Sequence, residues 1–175
     1  MRARPRISPE TKLAERCAVL AEVVRAMKTV YSAPDLTPTQ KDLLETMIGA
    51  AIWYMPQSND LWTGKISVEA LKARQAGAKP CKDHDYPRKL AGRDLLHLDE
   101  HDLTGPNLLL LYKTKYGRFN YVTQTENKRL VQHQKVHRFT SSEEAYKNAG
   151  IRLLGPSDLE SIAATVSSSH GPGDL

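Results

Sequence analysis

The sequence predicts an α+β protein, with a helical region over residues 1–78 and a smaller mixed core over residues 79–155. Three observations carry this. Apolar residues recur at spacings of three and four through the first half, capping signals separate those runs, and from Lys79 short extended stretches broken by prolines replace the helical pattern.

The first helix opens at Ser8 and Pro9, an N-cap and first-turn pair, and Leu13, Cys17, Leu20, Val24, Met27 and Tyr31 form one stripe to be buried. Cys17 lies on that stripe and reads as a small core thiol. Thr37-Pro38-Thr39-Gln40 reads as a capping box that opens a second helix, whose apolar face is Leu43, Leu44, Met47, Ile48, Ala51 and Ile52. Trp53, Tyr54 and Trp62 flank the break at Pro56. Packing between helices is the leading reading of these aromatics, and stacking on nucleic-acid bases is the alternative. Ser67 caps a third helix that ends at Gly77, and everything up to this point reads as helix.

Residues 79–87 read as extended, and Pro87 suits the first turn of a helix through Arg88, Leu90, Leu95 and Leu96. Residues 108–115 and 119–123 read as the two strands of a hairpin around Tyr116-Gly117-Arg118. Thr125 is expected to cap a helix that begins at Glu126 and Asn127 and buries Leu130 and Val131. Thr140-Ser141-Ser142-Glu143 opens a last short helix to Gly150, residues 151–154 add a strand, and residues 156–175 are expected to be a mobile tail.

Of the 175 residues, 40% are hydrophobic and 26% charged, the balance of a folded domain and not of a disordered chain or a membrane span. No run approaches the roughly 18 apolar residues of a spanning helix, and MRARPRISPETK has no apolar stretch of the signal-peptide kind, so the expected compartment is cytoplasmic. The net charge of +5 and a pI near 9.2 favour a polyanionic partner. The excess is uneven: residues 1–33 carry 7 basic and 3 acidic groups, 34–81 carry 5 and 5, 82–138 carry 11 and 7, and 139–175 carry 2 and 5. The third block also holds His84, His97, His101, His133 and His137. Cys17 and Cys81 are the only cysteines and form no C-x-x-C pair, which removes a zinc knuckle and a disulfide framework. A metal would need His, Asp, Glu or Asn. No Walker loop, G-x-G-x-x-G, C2H2 finger or RNP aromatic pattern is present.

The sharpest constellation is Lys82-Asp83-His84-Asp85-Tyr86-Pro87 followed downstream by Val122-Thr123-Gln124-Thr125-Glu126-Asn127-Lys128-Arg129-Leu130. A histidine at a strand end beside a carboxylate supplies a near-neutral base next to a cation ligand, which is what phosphodiester hydrolysis by water requires. This pair resembles the HNH-like, or ββα-metal, endonuclease family. KDHDYPRKLAGRDLL is similar to the base-bearing strand and its following helix, FNYVTQTENKRL to the second strand and helix entry, and EEAYKNAGIRL to the end of bacterial HNH-like domains. The resemblance covers residues 80–154 and does not extend to the helical half.

The resemblance implies a ββα-metal core with an inserted helix, residues 88–97, between the base and the asparagine. It implies His84 as general base, Asp83 as metal ligand and Asn127 as the residue that orients the base loop or metal site. His133, four residues before His137 on the same helix, would be a further ligand. The implied cofactor is one divalent ion, Mg²⁺ or Mn²⁺ for an oxygen-rich site, with Zn²⁺ or Ni²⁺ admitted by a histidine-rich one. Lys82, Arg88, Lys89, Arg93, Lys128 and Arg129 would contact phosphates flanking the scissile bond of DNA, with RNA left open and a homodimer conceivable. His97 and His101, with Asp99 and Glu100, read as a polar helix end and loop. The rival readings are a non-catalytic nucleic-acid-binding or regulatory protein with a degenerate nuclease-like core, and a protein-interaction module.

Overall fold

The structure is a computed structural model and describes residues 7–168. In chain order its elements are α1 (Pro9–Tyr31), α2 (Pro38–Trp53), β1 (Trp62–Ser67), α3 (Val68–Gln75), β2 (Cys81–His84), α4 (Arg88–His97), α5 (Gly105–Leu111), β3 (Phe119–Val122), α6 (Gln124–Val136), α7 (Ser142–Asn148), β4 (Leu153–Leu154) and α8 (Pro156–Ser168). The fold is mixed α and β, as the pattern predicts. Two compact units divide the chain: Met1–Leu61 with His84–Arg118, and Trp62–Asp83 with Phe119–Leu175. Each is built from two separate stretches, so the division does not follow the expected 78/79 boundary.

The first unit is helical. Ser8 caps α1 by accepting from the Thr11 N–H at 3.0 Å, and Leu13, Cys17, Leu20, Val24 and Tyr31 form its buried stripe. Cys17 is fully enclosed, and burial pushes its thiol up to about 11 against a small opposing pull from Lys113, so it is an unreactive core group. The capping box of α2 is present, with the Gln40 N–H donating to Thr37 Oγ1 and the Thr37 N–H to Gln40 Oε1. Helices α2 and α4 meet backbone to backbone: a Cβ on Gly92 would lie 2.2 Å from the Glu45 carbonyl oxygen, and one on Gly49 would lie 2.7 Å from that of Arg88. Only glycine permits this approach.

Residues 108–115, expected as a strand, are instead helical. Thr104 accepts from the Asn107 N–H at 3.3 Å and Pro106 fills the first turn, so α5 starts from a proper cap. It runs into a π-helical turn, Tyr112–Tyr116, that buries Tyr112 and Tyr116 one turn apart. The four leucines from Leu108 have no period of two and so carry no strand signal of their own. The expected hairpin does not form; only its second half, β3, is a strand.

The second unit is a four-stranded sheet in the order β2-β3-β1-β4, with α3, α6, α7 and α8. β1 and β3 pair in parallel, with Trp62 opposite Phe119 and Ile66 opposite Tyr121. β1 and β4 run antiparallel through Ile66–Leu154 and Ser67–Leu153. The Cys81 thiol donates to the Val122 carbonyl, and the Asp85 N–H donates to that of Arg118, so β2 and β3 run in opposite directions. β1 lies in a stretch expected to be helical. Trp62, Thr63 and Ile66 favour a strand, but six residues are too few for periodicity to declare one. Val122, Leu130, Ala145, Tyr146, Ala149 and Ile151 form one apolar cluster, and Ile66, Ala70 and Leu154 another.

The helix after β3 starts earlier than expected. Thr123, not Thr125, is its N-cap, and the Thr123-x-x-Glu126 spacing forms a complete capping box. Residues 156–168 of the expected tail form α8, and 169–175 lie outside the described residues. No described helix is long and apolar enough to cross a membrane.

Candidate active site

His84 ends β2 and belongs to the helical unit, where the chain turns toward α4. Its Nδ1 lies 3.2 Å from the Tyr116 carbonyl oxygen, and its Nε2 lies 3.3 Å from the side-chain nitrogen of Gln57. A carbonyl only accepts and an amide nitrogen only donates. The two contacts therefore fix one tautomer: Nδ1–H donates to Tyr116, and Nε2 keeps its lone pair and accepts from Gln57. The residues that do this come from the π-helical turn and from the break after α2. Trp53 lies beside the imidazole with ring centroids 6.1 Å apart, and the Arg88 guanidinium sits 4.2 Å from the centre of the Trp53 ring.

Burial lowers the His84 pKa to about 4; the hydrogen bond to Tyr116 opposes the shift and the charge of Arg88 adds to it. The imidazole is thus neutral at pH 7, with its acceptor nitrogen held in a defined direction. Trp53 is 55% and Tyr54 72% exposed, so these two aromatics do not serve the core packing expected of them; Ile48, Ile52 and Met55 take the buried face of that segment.

Asp83 belongs to the sheet unit, and the division between units falls between it and His84. Its carboxylate accepts a hydrogen bond from the Tyr146 hydroxyl. Asn127 lies half-buried in the first turns of α6, with its backbone N–H on the Thr123 carbonyl at 3.0 Å. His133 is half-buried and stacks face to face on His137, with centroids 4.3 Å apart and planes inclined by 24°. Imidazole lone pairs lie in the ring plane, so the stacked rings of His133 and His137 do not converge on one ion.

The expected phosphate contacts are unequal. Arg93 is held by Glu45, Lys89 pairs with Asp42, Lys82 sits 4.2 Å from the centre of the Phe119 ring, and Arg88 covers Trp53. Lys128 and Arg129 are exposed on α6, and Arg129 reaches the Gly150 carbonyl at 3.5 Å.

Among the described residues, the one group of three His, Cys, Asp or Glu side chains with ligand atoms within 4.8 Å of one another is Asp99, His101 and Asp102, at an exposed 3₁₀ turn. A structural zinc site takes four protein ligands and a catalytic one three, and among the described residues no such group of His, Cys, Asp and Glu includes Asp83. Mg²⁺ commonly takes one or two carboxylates and completes its shell with water and substrate oxygens, and a single carboxylate at Asp83 fits that chemistry.

Sequence reasoning missed Gln57, Tyr116 and Tyr146 as partners of the candidate residues. Gln57 and Tyr116 lie in segments far from His84 along the chain and have no motif around them. Glu126 carried a readable signal, the capping-box spacing from Thr123. No family model, curated protein or solved structure matches this chain.

Proposed function

We propose that the protein is a metal-dependent endonuclease of the HNH-like, ββα-metal type that hydrolyses DNA phosphodiester bonds with His84 as general base. The observation that carries the reading is the His84 tautomer: a neutral imidazole anchored through Nδ1–H, with the acceptor lone pair of Nε2 directed at the Gln57 amide. The antiparallel β2–β3 pair followed directly by α6 supports it at the level of the fold.

In this reading a water molecule replaces the Gln57 amide at Nε2 and gives up its proton there. The imidazolium that forms keeps its Nδ1–H bond to the Tyr116 carbonyl, which stabilises the positive charge and holds the ring in place. An incoming phosphate diester brings negative charge toward Arg88 and offsets the repulsion between Arg88 and the imidazolium. Asp83 is the residue assigned to hold the divalent ion, which when bound supplies electrostatic stabilisation of the phosphate and its leaving oxygen. Asn127 and His133 take orienting and ligand roles by resemblance.

Plasmid DNA with Mg²⁺, Mn²⁺ or Ni²⁺ tests the proposal. Cleavage should vanish in chelator and fall by about 10²-fold or more in folded His84→Ala. The rate should be flat near neutrality and fall only in acid, as His84 protonates toward its pKa of about 4. Cleavage unchanged in His84→Ala rejects the mechanism. DNA retarded but never cut, with any of the metals, makes the protein a non-catalytic nucleic-acid binder.

A further inference from the structure

The sheet unit contains a cleft of about 520 Å³, within the size range of ligand sites, between β1, α7 and β4. Lys65, Lys147 and Arg152 line it against a single carboxylate, Glu143. All three cations are exposed, and none forms an ion pair among the described residues. This sets them apart from Arg93 and Lys89, which are committed to Glu45 and Asp42. By contrast, the cleft at the start of α1 carries Glu10 and Asp60 against Lys113 alone, so positive lining is not a general property of the surface.

The rest of the lining is mixed, with Ser142, the half-buried Leu153, the Gly150 and Gly155 backbone, and the edges of the buried Tyr146 and Ile151 at its floor. Arg129 reaches the Gly150 carbonyl and extends the positive charge to the rim. Tyr146 also donates its hydroxyl to Asp83, so the cleft wall and the candidate metal ligand share one side chain.

We infer that this cleft binds the phosphodiester backbone of a nucleic-acid strand, with Lys65, Lys147 and Arg152 contacting its phosphates. The inference rests on the proposed nucleic-acid substrate and adds a binding site outside the residues assigned by resemblance. Charge counted along the chain does not reveal it. The three cations come from residues 34–81 and 139–175, which carry no net positive charge; folding brings them together.

The test is binding of short fluorescein-labelled single-stranded and duplex DNA to the full chain in chelator, by anisotropy, between about 50 and 200 mM salt. Lys65→Ala, Lys147→Ala and Arg152→Ala should each weaken binding roughly threefold to tenfold and lower the slope of log K against log salt by about one. Glu143→Gln should tighten it. Lys72→Ala, which removes an exposed cation paired with Glu69 outside the cleft, should change little. Unchanged affinity and slope in the three cleft variants, or an equal loss in Lys72→Ala, overturns the inference. Thymidine triphosphate that displaces the DNA and loses affinity only in the cleft variants would make this a free-nucleotide site and also overturn it. Binding and cleavage separate the two proposals: cleft-dependent binding without cleavage keeps the cleft and rejects the nuclease, while cleavage with cleft-independent binding does the reverse.

Discussion

The two units each bury one glutamate and stabilise it by different means. In the helical unit Glu45, 4% exposed, accepts from Arg93 Nε and Nη2 at 2.9 Å each and from the Tyr31 hydroxyl at 2.9 Å. In the sheet unit Glu126, 5% exposed, accepts from Ser67 Oγ at 2.6 Å and from the Thr123 N–H and hydroxyl at 2.8 and 2.9 Å. Glu45 is matched by a full charge whose own side chain stays 49% exposed and so loses little hydration. Glu126 is solvated by three neutral dipoles at a helix N-terminus, where the macrodipole also favours negative charge. The first arrangement is a charge pair at the edge of a helix crossing. The second joins the end of β1 to the start of α6 through one carboxylate, and so fixes the position of one element against the other.

The largest expected effect breaks the helical side of this comparison without touching the charges. Gly92→Ala would place a methyl 2.2 Å from the carbonyl oxygen of Glu45 itself, and neither backbone can yield without separating α2 from α4. The expected loss is about 3 kcal/mol, read from urea unfolding. A loss below about 1 kcal/mol would show that the helix crossing adapts and does not hold Glu45 in place.

Next in size is Glu126→Ala, which leaves the fully buried Ser67 hydroxyl and the Thr123 donors without their acceptor. This should cost about 2 kcal/mol, and Glu126→Gln, which keeps one acceptor oxygen, about half as much. Equal costs for the two variants would mean that charge rather than acceptor geometry stabilises this site, and would erase the contrast with Glu45.

Local chemistry made the first three helices legible: Ser8, Thr37 and Ser67 cap them as the sequence indicates, each accepting from a backbone N–H of the following turn. β1 and α5 were not legible for a physical reason. β1 has six residues and borrows its strand character from pairing with β3 and β4, while the leucines of α5 suit either state until Thr104 and Pro106 open a helix. The candidate site divides the same way. Asp83, His84 and Asn127 stood out because their residue types and order have chemical meaning. The environment of His84 did not, because Gln57, Tyr116 and Trp53 approach it only through the tertiary fold. The cations of the cleft are likewise separated along the chain and juxtaposed only in the folded unit.

The smallest expected effect sharpens the electrostatic half of the comparison through pH. Burial pushes the Glu45 pKa up, but the hydrogen bonds from Arg93 and Tyr31 and the charge of Arg93 outweigh it and hold the carboxyl below the usual glutamate range. Because the folded pKa lies below the unfolded value of about 4.3, the unfolded chain binds the proton more readily as pH falls. The stabilisation is therefore complete above the unfolded value and is lost as pH drops through the folded one. Glu45→Gln removes this titration while keeping an acceptor for Arg93 and Tyr31, and for a half-exposed partner the cost at pH 7 should be about 1 kcal/mol. Urea midpoints of the two proteins should differ at pH 7 and converge in acid as the pH falls through the lowered folded pKa of Glu45, below which the wild-type carboxyl is neutral as well. A difference that stays constant across that range would assign the role of Glu45 to its shape and hydrogen bonds alone, and the two glutamates would then be held in the same way.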